Sequence, residues 1–344
     1  MTSILVIQLK RIGDLIVTVP ALEALRKAYP AARISLVIDG DTSGMAPAIR
    51  CVDRVMIYKK QSLNVRTFRR VILGRYDVAL DFTGTDRSSL LTWLSRASRR
   101  IAFRWADKNQ FRASSYTEFV DSPVRDKHTI DHYLDLVSSV GARSDHPELR
   151  LELPKSAYRD VKTLLRKHHI ASGYAVVHPG AARSEKYWQP ERWAAVIDHC
   201  EEVLGLPCLL IGGSSAMEKE TIRGIRENVG SPFIDLSGQL LLMSSAALIA
   251  GAKLFLGIDS GPSHLASAMQ TPQVTLFGPT NPFHWRARHA RSLVLQGGKE
   301  NPLASFQSHS AAGDLNALST QEVIHAITLL LPTVAHVRSS DSES

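Results

Sequence analysis

The stretch Gly257-Ile258-Asp259-Ser260-Gly261-Pro262-Ser263-His264 carries an acid, two small hydroxyls and a histidine where an apolar run, 253–257, passes into a segment of small and apolar residues, 263–269. The first segment reads as a buried strand and the second as a helix. A strand that turns straight into a helix leaves backbone N–H groups unpaired at the helix start. Together with the helix dipole these form an anion site. Asp259, Ser260, Gly261 and His264 would then stand beside a bound phosphate. The same residues also suit an ordinary helix capped by Ser260.

A second turn of this kind lies near the N-terminus, in Ile4-Leu5-Val6-Ile7-Gln8-Leu9-Lys10-Arg11-Ile12-Gly13-Asp14. A short apolar strand ends, Gly13 permits a tight turn, and Asp14 opens a helical segment. Ile16, Val19, Leu22 and Leu25 follow at helical spacing. Pro20 is unfavourable inside a helix, so regular helix is expected only from about residue 19, over 19–28. A carboxylate beside a helix N-terminus is favoured in its charged form and would serve as a general base towards a hydroxyl held against it. It would equally serve as a cap.

A chain of 344 residues, 44% hydrophobic and 22% charged, has the composition of a globular protein with room for two cored domains. No apolar run approaches the ~20 residues that span a bilayer, and the first strand has no basic segment before it, so neither a membrane span nor a signal peptide is expected. Cys51, Cys200 and Cys208 are too few and too scattered for a disulfide framework or zinc site, and read as reduced thiols in a cytoplasmic protein. The formal net charge is +8, and 59–127 alone holds fifteen Lys/Arg against seven Asp/Glu, an excess of eight. Arg66, Arg69, Arg70, Arg75, Arg87, Arg96, Arg99, Arg100, Arg104 and Arg112 make this segment suited to phosphate recognition. It carries no nucleic-acid recognition motif and little aromatic interleaving, which argues against nucleic acid. A phosphorylated glycolipid at an anionic membrane surface accounts for the charge, as does a merely solvated basic face.

Short apolar strands alternate with helical segments throughout. Strands are expected at 4–9, 33–38, 53–57, 77–82, 99–103, 174–178, 207–211, 233–236, 253–257 and 273–277. Helices are expected at 19–28, 62–73, 86–96, 155–169, 190–203, 216–228, 243–250 and 262–269. This alternation predicts an α/β protein of two doubly wound, Rossmann-like units with parallel sheets. The polar stretch 144–156, with Pro147 and Pro154, divides them into 1–150 and 151–335, leaving 336–344 as a polar, disordered tail. Ligands bind outside the carboxyl ends of strands in such sheets, so a cleft between the units would bring the two special turns together.

With these residues in place, the chain resembles the ADP-heptose lipopolysaccharide heptosyltransferases, glycosyltransferase family 9. The matching stretches are 4–30 with Gly13-Asp14; Val177-His178-Pro179-Gly180 followed by Lys186, Trp188, Pro190, Glu191 and Trp193; Leu210-Ile211-Gly212-Gly213; Asp259 to His264; and Leu276-Phe277-Gly278-Pro279-Thr280. The likeness covers about 1–330. Gln8 to Asp14 and Thr83-Gly84-Thr85-Asp86-Arg87 look most like the heptosyltransferase III branch. The resemblance implies a GT-B fold with two domains facing across a cleft, the first binding acceptor and the second the nucleotide sugar. It implies an inverting transfer of heptose from ADP-L-glycero-D-manno-heptose to a hydroxyl of the lipopolysaccharide inner core, without metal or other cofactor. Carried over by position, Asp14 is the general base and Lys186 neutralises the departing diphosphate. Gly180, Lys186, Gly212, Gly213, Glu218, Asp259, Ser260, Gly261, His264, Pro279 and Thr280 hold the donor. Lys10, Arg11, Gly13 and Arg87 face a phosphorylated, lipid-linked acceptor at the cytoplasmic face of the inner membrane.

Other readings of these residues stay open. Lys186 would also suit a solvated loop, Trp188 and Trp193 suit core anchors better than sugar platforms, and Glu218 would equally be a first-turn helix acid. His178 is more commonly a satisfied loop histidine than a ligand. Asp39-Gly40-Asp41 imitates a metal-binding Asp-x-Asp but follows a strand and reads better as a turn. The chain also lacks the cysteines that many family members carry before a closing helix, here 310–318. Another nucleotide sugar or acceptor is the nearest alternative function. A GT-B-like sugar-nucleotide epimerase is a second, and a non-catalytic nucleotide- or glycolipid-binding protein a third, which Asp14 and Lys186 argue against.

Overall fold

A computed structural model describes residues 1–331; the expected tail, 336–344, lies outside the described residues. The first half runs β1 (Ser3–Gln8), α1 (Ile12–Ala28), β2 (Arg33–Asp39), β3 (Arg54–Tyr58), α2 (Val65–Leu73), β4 (Val78–Asp81), α3 (Asp86–Leu94), β5 (Arg99–Phe103), α4 (Gln110–Ser115), β6 (Glu118–Val120) and α5 (Thr129–Ser138). The second runs α6 (Lys155–Lys167), β7 (Ala175–His178), α7 (Pro190–Glu202), β8 (Cys208–Leu210), α8 (Ala216–Asn228), β9 (Ile234–Asp235), α9 (Leu242–Ala250), β10 (Leu254–Ile258), α10 (Gly261–Ala268), β11 (Gln273–Phe277), α11 (Pro282–Trp285), β12 (Ser292–Gln296) and α12 (Thr320–Leu330).

Each half builds one six-stranded sheet, ordered β3-β2-β1-β4-β5-β6 and β12-β11-β10-β7-β8-β9. Every pairing is parallel, from Ser3 opposite Arg33 to Leu210 opposite Asp235. The two orders are the same doubly wound pattern, reversing direction between β1 and β4 and between β7 and β10. Ligands of open parallel sheets bind where that reversal opens a crevice at the strand carboxyl ends. The turn after β1 and the turns after β7 and β10 are therefore the three places where chemistry is expected, and they are where Asp14, Lys186 and Asp259 lie.

The central strands β1, β4, β7, β10 and β11 are buried along their whole length, which explains their near-continuous Ile, Val and Leu. One cluster of buried side chains runs through both halves, from Ile4, Leu15 and Leu22 beneath α1 to Leu248 and Leu265 in α9 and α10. The far face of the second sheet has its own core, in which Trp188 and Trp193 meet edge to face with centroids 5.1 Å apart. Both indoles are fully buried, and the Trp188 Nε1–H donates to the Leu318 carbonyl, tying the segment before α12 to the sheet. They are core anchors.

Two expectations change. Helix α1 begins at Ile12 and takes Pro20 into its interior instead of starting near residue 19. Residues Leu15 to Leu22 are all buried, and packing on this scale outweighs the single hydrogen bond a proline removes. Strands β6 and β12 and helices α4, α5, α11 and α12 were not anticipated; β6 is a short, half-buried edge strand with no hydrophobic alternation to betray it.

Replacing Trp193 by Ala should lower stability by about 3–5 kcal/mol, the usual cost of emptying a buried aromatic site. A chemical-denaturation midpoint indistinguishable from wild type would contradict the packing described.

Candidate active site

The two halves meet through the first turns of α1 and α10. Gly13 has the His264 ring so close that a Cβ there would stand 2.8 Å from His264 Cδ2. On α10, a Cβ on Gly261 would stand 2.5 Å from Ile12 Cγ2. Neither position has room for a methyl group. The contact is clasped on one side by Arg288, which pairs with Asp131 at the start of α5. His128 Nε2 also lies 3.0 Å from the Arg286 carbonyl, and His284 Nδ1 2.8 Å from that of Lys127.

Beside this contact lies a cavity of about 300 Å³ lined from both halves, by Arg11, Ile12, Gly13 and Asp14 on one side and Lys186, Asp259, Ser260, Gly261, His264 and Thr280 on the other. Ala181, Ala182, Arg183 and Trp285 complete the wall. A larger cavity, about 720 Å³ and lined by α6 and α9, lies away from these residues and holds none of their chemistry; polarity and convergence, not size, mark the site.

On the first half's side, Asp14 sits in the opening turn of α1, and Arg11, its N-cap residue, makes no side-chain cap. The Asp14 carboxylate instead accepts a 2.8 Å hydrogen bond from the hydroxyl of Tyr133 on α5. Tyr133 is buried, and its hydroxyl is pushed well above its usual pKa by burial and by the Asp14 charge, so it stays a proton donor to the carboxylate. Lys10 Nζ lies 3.4 Å from the same hydroxyl and 5.2 and 5.3 Å from the ring centroids of Trp105 and Tyr133. Burial lowers the Lys10 pKa, with Asp14 and Asp81 opposing. Lys10 is thus held within the wall behind Asp14, and Arg11 is the basic group of this wall that reaches the cavity.

On the other side, Lys186 closes a short 3-10 turn, Ser184–Lys186, after β7. Its side chain is only 15% exposed, and Nζ donates to Asp259 at 2.5 Å (Oδ2) and 3.0 Å (main-chain O). This is a fixed ion pair and not a solvated loop lysine. His264 Nε2 is 4.0 Å from Asp259 Oδ1, and its ring lies 5.8 Å from that of Trp285. Burial lowers the His264 pKa, with Asp259 and Asp14 pulling the other way, so a neutral imidazole faces the cavity at neutral pH. Ser260 precedes α10, and its hydroxyl goes to the Ile258 carbonyl and to His178 Nδ1, at 3.1 and 3.2 Å. His178, held to about pKa 4 by burial, ends β7 as a satisfied structural residue.

Gly180, Gly212, Gly213 and Glu218 form an adjoining group beyond the cavity wall. Glu218 caps α8 through a reciprocal pair with Ser215, and its Oε1 also accepts from Gly213 N at 2.8 Å. A Cβ on Gly180 would stand 2.6 Å from the same oxygen, so the carboxylate is wedged between the loops after β7 and β8. Arg87 is exposed on the first turn of α3 and Pro279 follows β11; neither lines the cavity.

The segment 59–127 divides in two. Arg99 grips Glu118 with two 2.7 Å bonds, and Arg100 donates to the carbonyls of Ser115 and Ala97. Arg104 and Arg112 pair with Asp121 and Asp86. Arg66, Arg69 and Arg70 have no ion pair among the described residues. Asp39 and Asp41 share Lys60, at 3.4 and 3.0 Å, and Asp39 caps the 3-10 segment that follows it, so the Asp-x-Asp forms a turn.

Sequence reasoning missed Tyr133 and Trp285. Tyr133 is 119 residues from Asp14 and reaches it only through the docking of α5 on α1. Trp285 had a faint signal, since Asn281-Pro282 is a helix start directly after Pro279-Thr280.

Across its residues 65–315 the chain matches the family model described as glycosyltransferase family 9 (heptosyltransferase). It belongs to that family. Lipopolysaccharide heptosyltransferase 3 of Escherichia coli is 25% identical over 333 residues, spanning 93% of this chain and 97% of that protein. Lipopolysaccharide heptosyltransferase 1 of Salmonella typhimurium is 23% identical over 94% of this chain and 99% of its own. A family 9 glycosyl transferase from Veillonella parvula superposes with a TM-score of 0.84 at 24% identity, covering 96% of this chain and 97% of that one. The same GT-B architecture of two parallel α/β units is therefore present here, and the family makes the chain a glycosyltransferase.

Replacing Tyr133 by Phe removes only the hydroxyl on Asp14. Turnover should fall by about tenfold, with the KM for the donor unchanged. Unaltered turnover would reduce Tyr133 to a packing residue.

Proposed function

We propose that this family 9 enzyme transfers heptose from ADP-L-glycero-D-manno-heptose to a hydroxyl of the lipopolysaccharide inner core, with inversion at the anomeric carbon. The observation that carries the reading is one cavity with a carboxylate on one wall and a lysine with a helix start on the other. In inverting displacement the nucleophile and the leaving group occupy opposite faces of the sugar, so base and anion site must come from opposite walls. Similar proteins named as lipopolysaccharide heptosyltransferases 3 and 1, and the likeness to the fold of Escherichia coli WaaC with ADP (TM-score 0.74, 21% identity), support the choice of donor and acceptor.

In this reading 151–335 binds the donor and 1–150 the acceptor. The ADP diphosphate lies against Lys186 and the Ser260-Gly261 turn, with Gly180, Gly212, Gly213 and Glu218 towards the nucleoside and Pro279-Thr280 towards the sugar. The Lys186 ammonium has three protons; Asp259 takes two acceptor positions, leaving one donor for a phosphate oxygen. As the acceptor hydroxyl attacks, Asp14 takes its proton, the anomeric C–O bond breaks, and the electron pair leaves with ADP. Negative charge then grows where Lys186 and the α10 N-terminus already point, and this favours the transition state over the ground state. Arg11 meets an acceptor phosphate. The enzyme acts at the cytoplasmic face of the inner membrane; no helix among the described residues is long and apolar enough to cross a membrane.

Asp14→Asn should lower turnover by roughly two to four decades, the usual loss on removing a general base, and leave ADP affinity within about twofold. Lys186→Ala should weaken ADP binding in calorimetry as well as slow transfer. Near-normal turnover in the Asp14 variant would remove it from the mechanism.

Transfer should also persist in excess EDTA, since Lys186 and the helix start supply the charge compensation that a metal gives elsewhere. Loss of activity on chelation with recovery in magnesium or manganese would refute this.

A further inference from the structure

Helix α2 has a face that no other described residue covers. Thr67 and Val71 point into the sheet, and Phe68 packs edge to face on Tyr58. The exposed positions are Val65, Arg66, Arg69, Ile72 and Leu73, at i, i+1, i+4, i+7 and i+8, which is one stripe along the helix. A surface helix ordinarily reserves such a stripe for polar residues. Here Val65 and Leu73 are 67% and 65% exposed, and Leu63, in the turn leading into the helix, is 85% exposed.

The surrounding charge is one-sided. Between Lys59 and Tyr76 there are six basic residues and no acid. Lys60 is engaged by Asp39 and Asp41, but Arg66, Arg69 and Arg70 make no ion pair among the described residues, unlike Arg99, Arg104 and Arg112. Apolar side chains and unpaired arginines on the same exposed face are complementary to a surface that is anionic outside and hydrocarbon beneath. A folded partner protein would need a shaped apolar surface with matching acids; a lipid surface needs neither.

The position of the helix agrees. Leu63 and Val65 follow the carboxyl end of edge strand β3, so they lie at the same end of the sheet as the Asp14 turn. Helix α2 packs with α3 over the sheet face served by Val71, Leu5 and Leu91, whereas α1 covers the face joined to the second half. The stripe is therefore turned away from the other half and is uncovered among the described residues.

We propose that Leu63 and the Val65–Leu73 face of α2 form a docking surface for anionic phospholipid, laying the first half against the bilayer with its cavity end near the lipid-linked acceptor. This rests on the membrane-face reading above and adds the surface responsible.

The test uses the full chain and sedimentation with vesicles of phosphatidylcholine alone or with phosphatidylglycerol. One variant carries Leu63→Ser, Val65→Ser and Leu73→Ser; a second carries Arg66→Gln and Arg69→Gln. Wild type should bind the phosphatidylglycerol vesicles and lose binding in high salt, and each variant should bind at least about tenfold more weakly. Both variants should keep wild-type turnover on a de-acylated, water-soluble acceptor, which also shows that they fold. If wild type and both variants bind the anionic vesicles equally, the α2 surface is wrong while the membrane reading stands. If active wild type binds neither vesicle, both fail. If light scattering shows the serine variant splitting a wild-type dimer without loss of vesicle binding, the face is a self-association surface and the proposal is overturned.

Discussion

The interlock of two helix N-termini is the constraint on which the rest depends. Gly13 admits His264, and Gly261 admits Ile12, each with no space for a methyl group. Two positively polarised helix starts are thereby held side by side, at the carboxyl ends of β1 and β10. Such an arrangement is costly in isolation, and it favours anionic groups between and around the two starts. Asp14 on one turn and Asp259 on the other satisfy part of that demand within the protein. The same contact sets the width of the cavity, so the spacing of the Asp14 and Asp259 turns is decided by backbone packing and not by flexible side chains.

Asp14 and Lys186, facing each other across the site, are each held by a neighbour. Tyr133 occupies one oxygen of Asp14 and leaves the other without a side-chain partner among the described residues. Asp259 fixes Lys186 and leaves one ammonium proton outward. Lys10 is kept behind Tyr133 against two aromatic rings, where it adds positive potential behind the carboxylate. These contacts orient groups before any ligand arrives, which is the condition for electrostatic catalysis without reorganisation at the moment of reaction.

The basic surface of the first half has two uses that its composition alone merges. Around β5 and β6 the arginines stabilise a short edge strand through Glu118 and main-chain carbonyls. Around α2 they make no ion pair among the described residues and stand beside exposed aliphatic residues. An excess of eight positive charges in one segment is the same number in either case; only the partners distinguish structural arginines from those available to a surface.

By itself the sequence determined the parallel α/β class, because buried strands and amphipathic helices differ in hydrophobic period, and β5 and β11 are read to the residue. It also determined the two glycine turns, because an acid or hydroxyl directly after an apolar run can be placed only at a strand's carboxyl end. It placed Trp188 and Trp193 in the core. Only the tertiary structure decided that α1 runs unbroken from Ile12 through Pro20, since that depends on the surface against which Leu15 to Leu22 are buried. Only the tertiary structure joined Tyr133 to Asp14 and Asp259 to Lys186, contacts spanning 119 and 73 residues. Local sequence specifies which backbone turn each residue adopts; partners that far apart are chosen by how helices dock on sheets, and no local period or spacing encodes that choice.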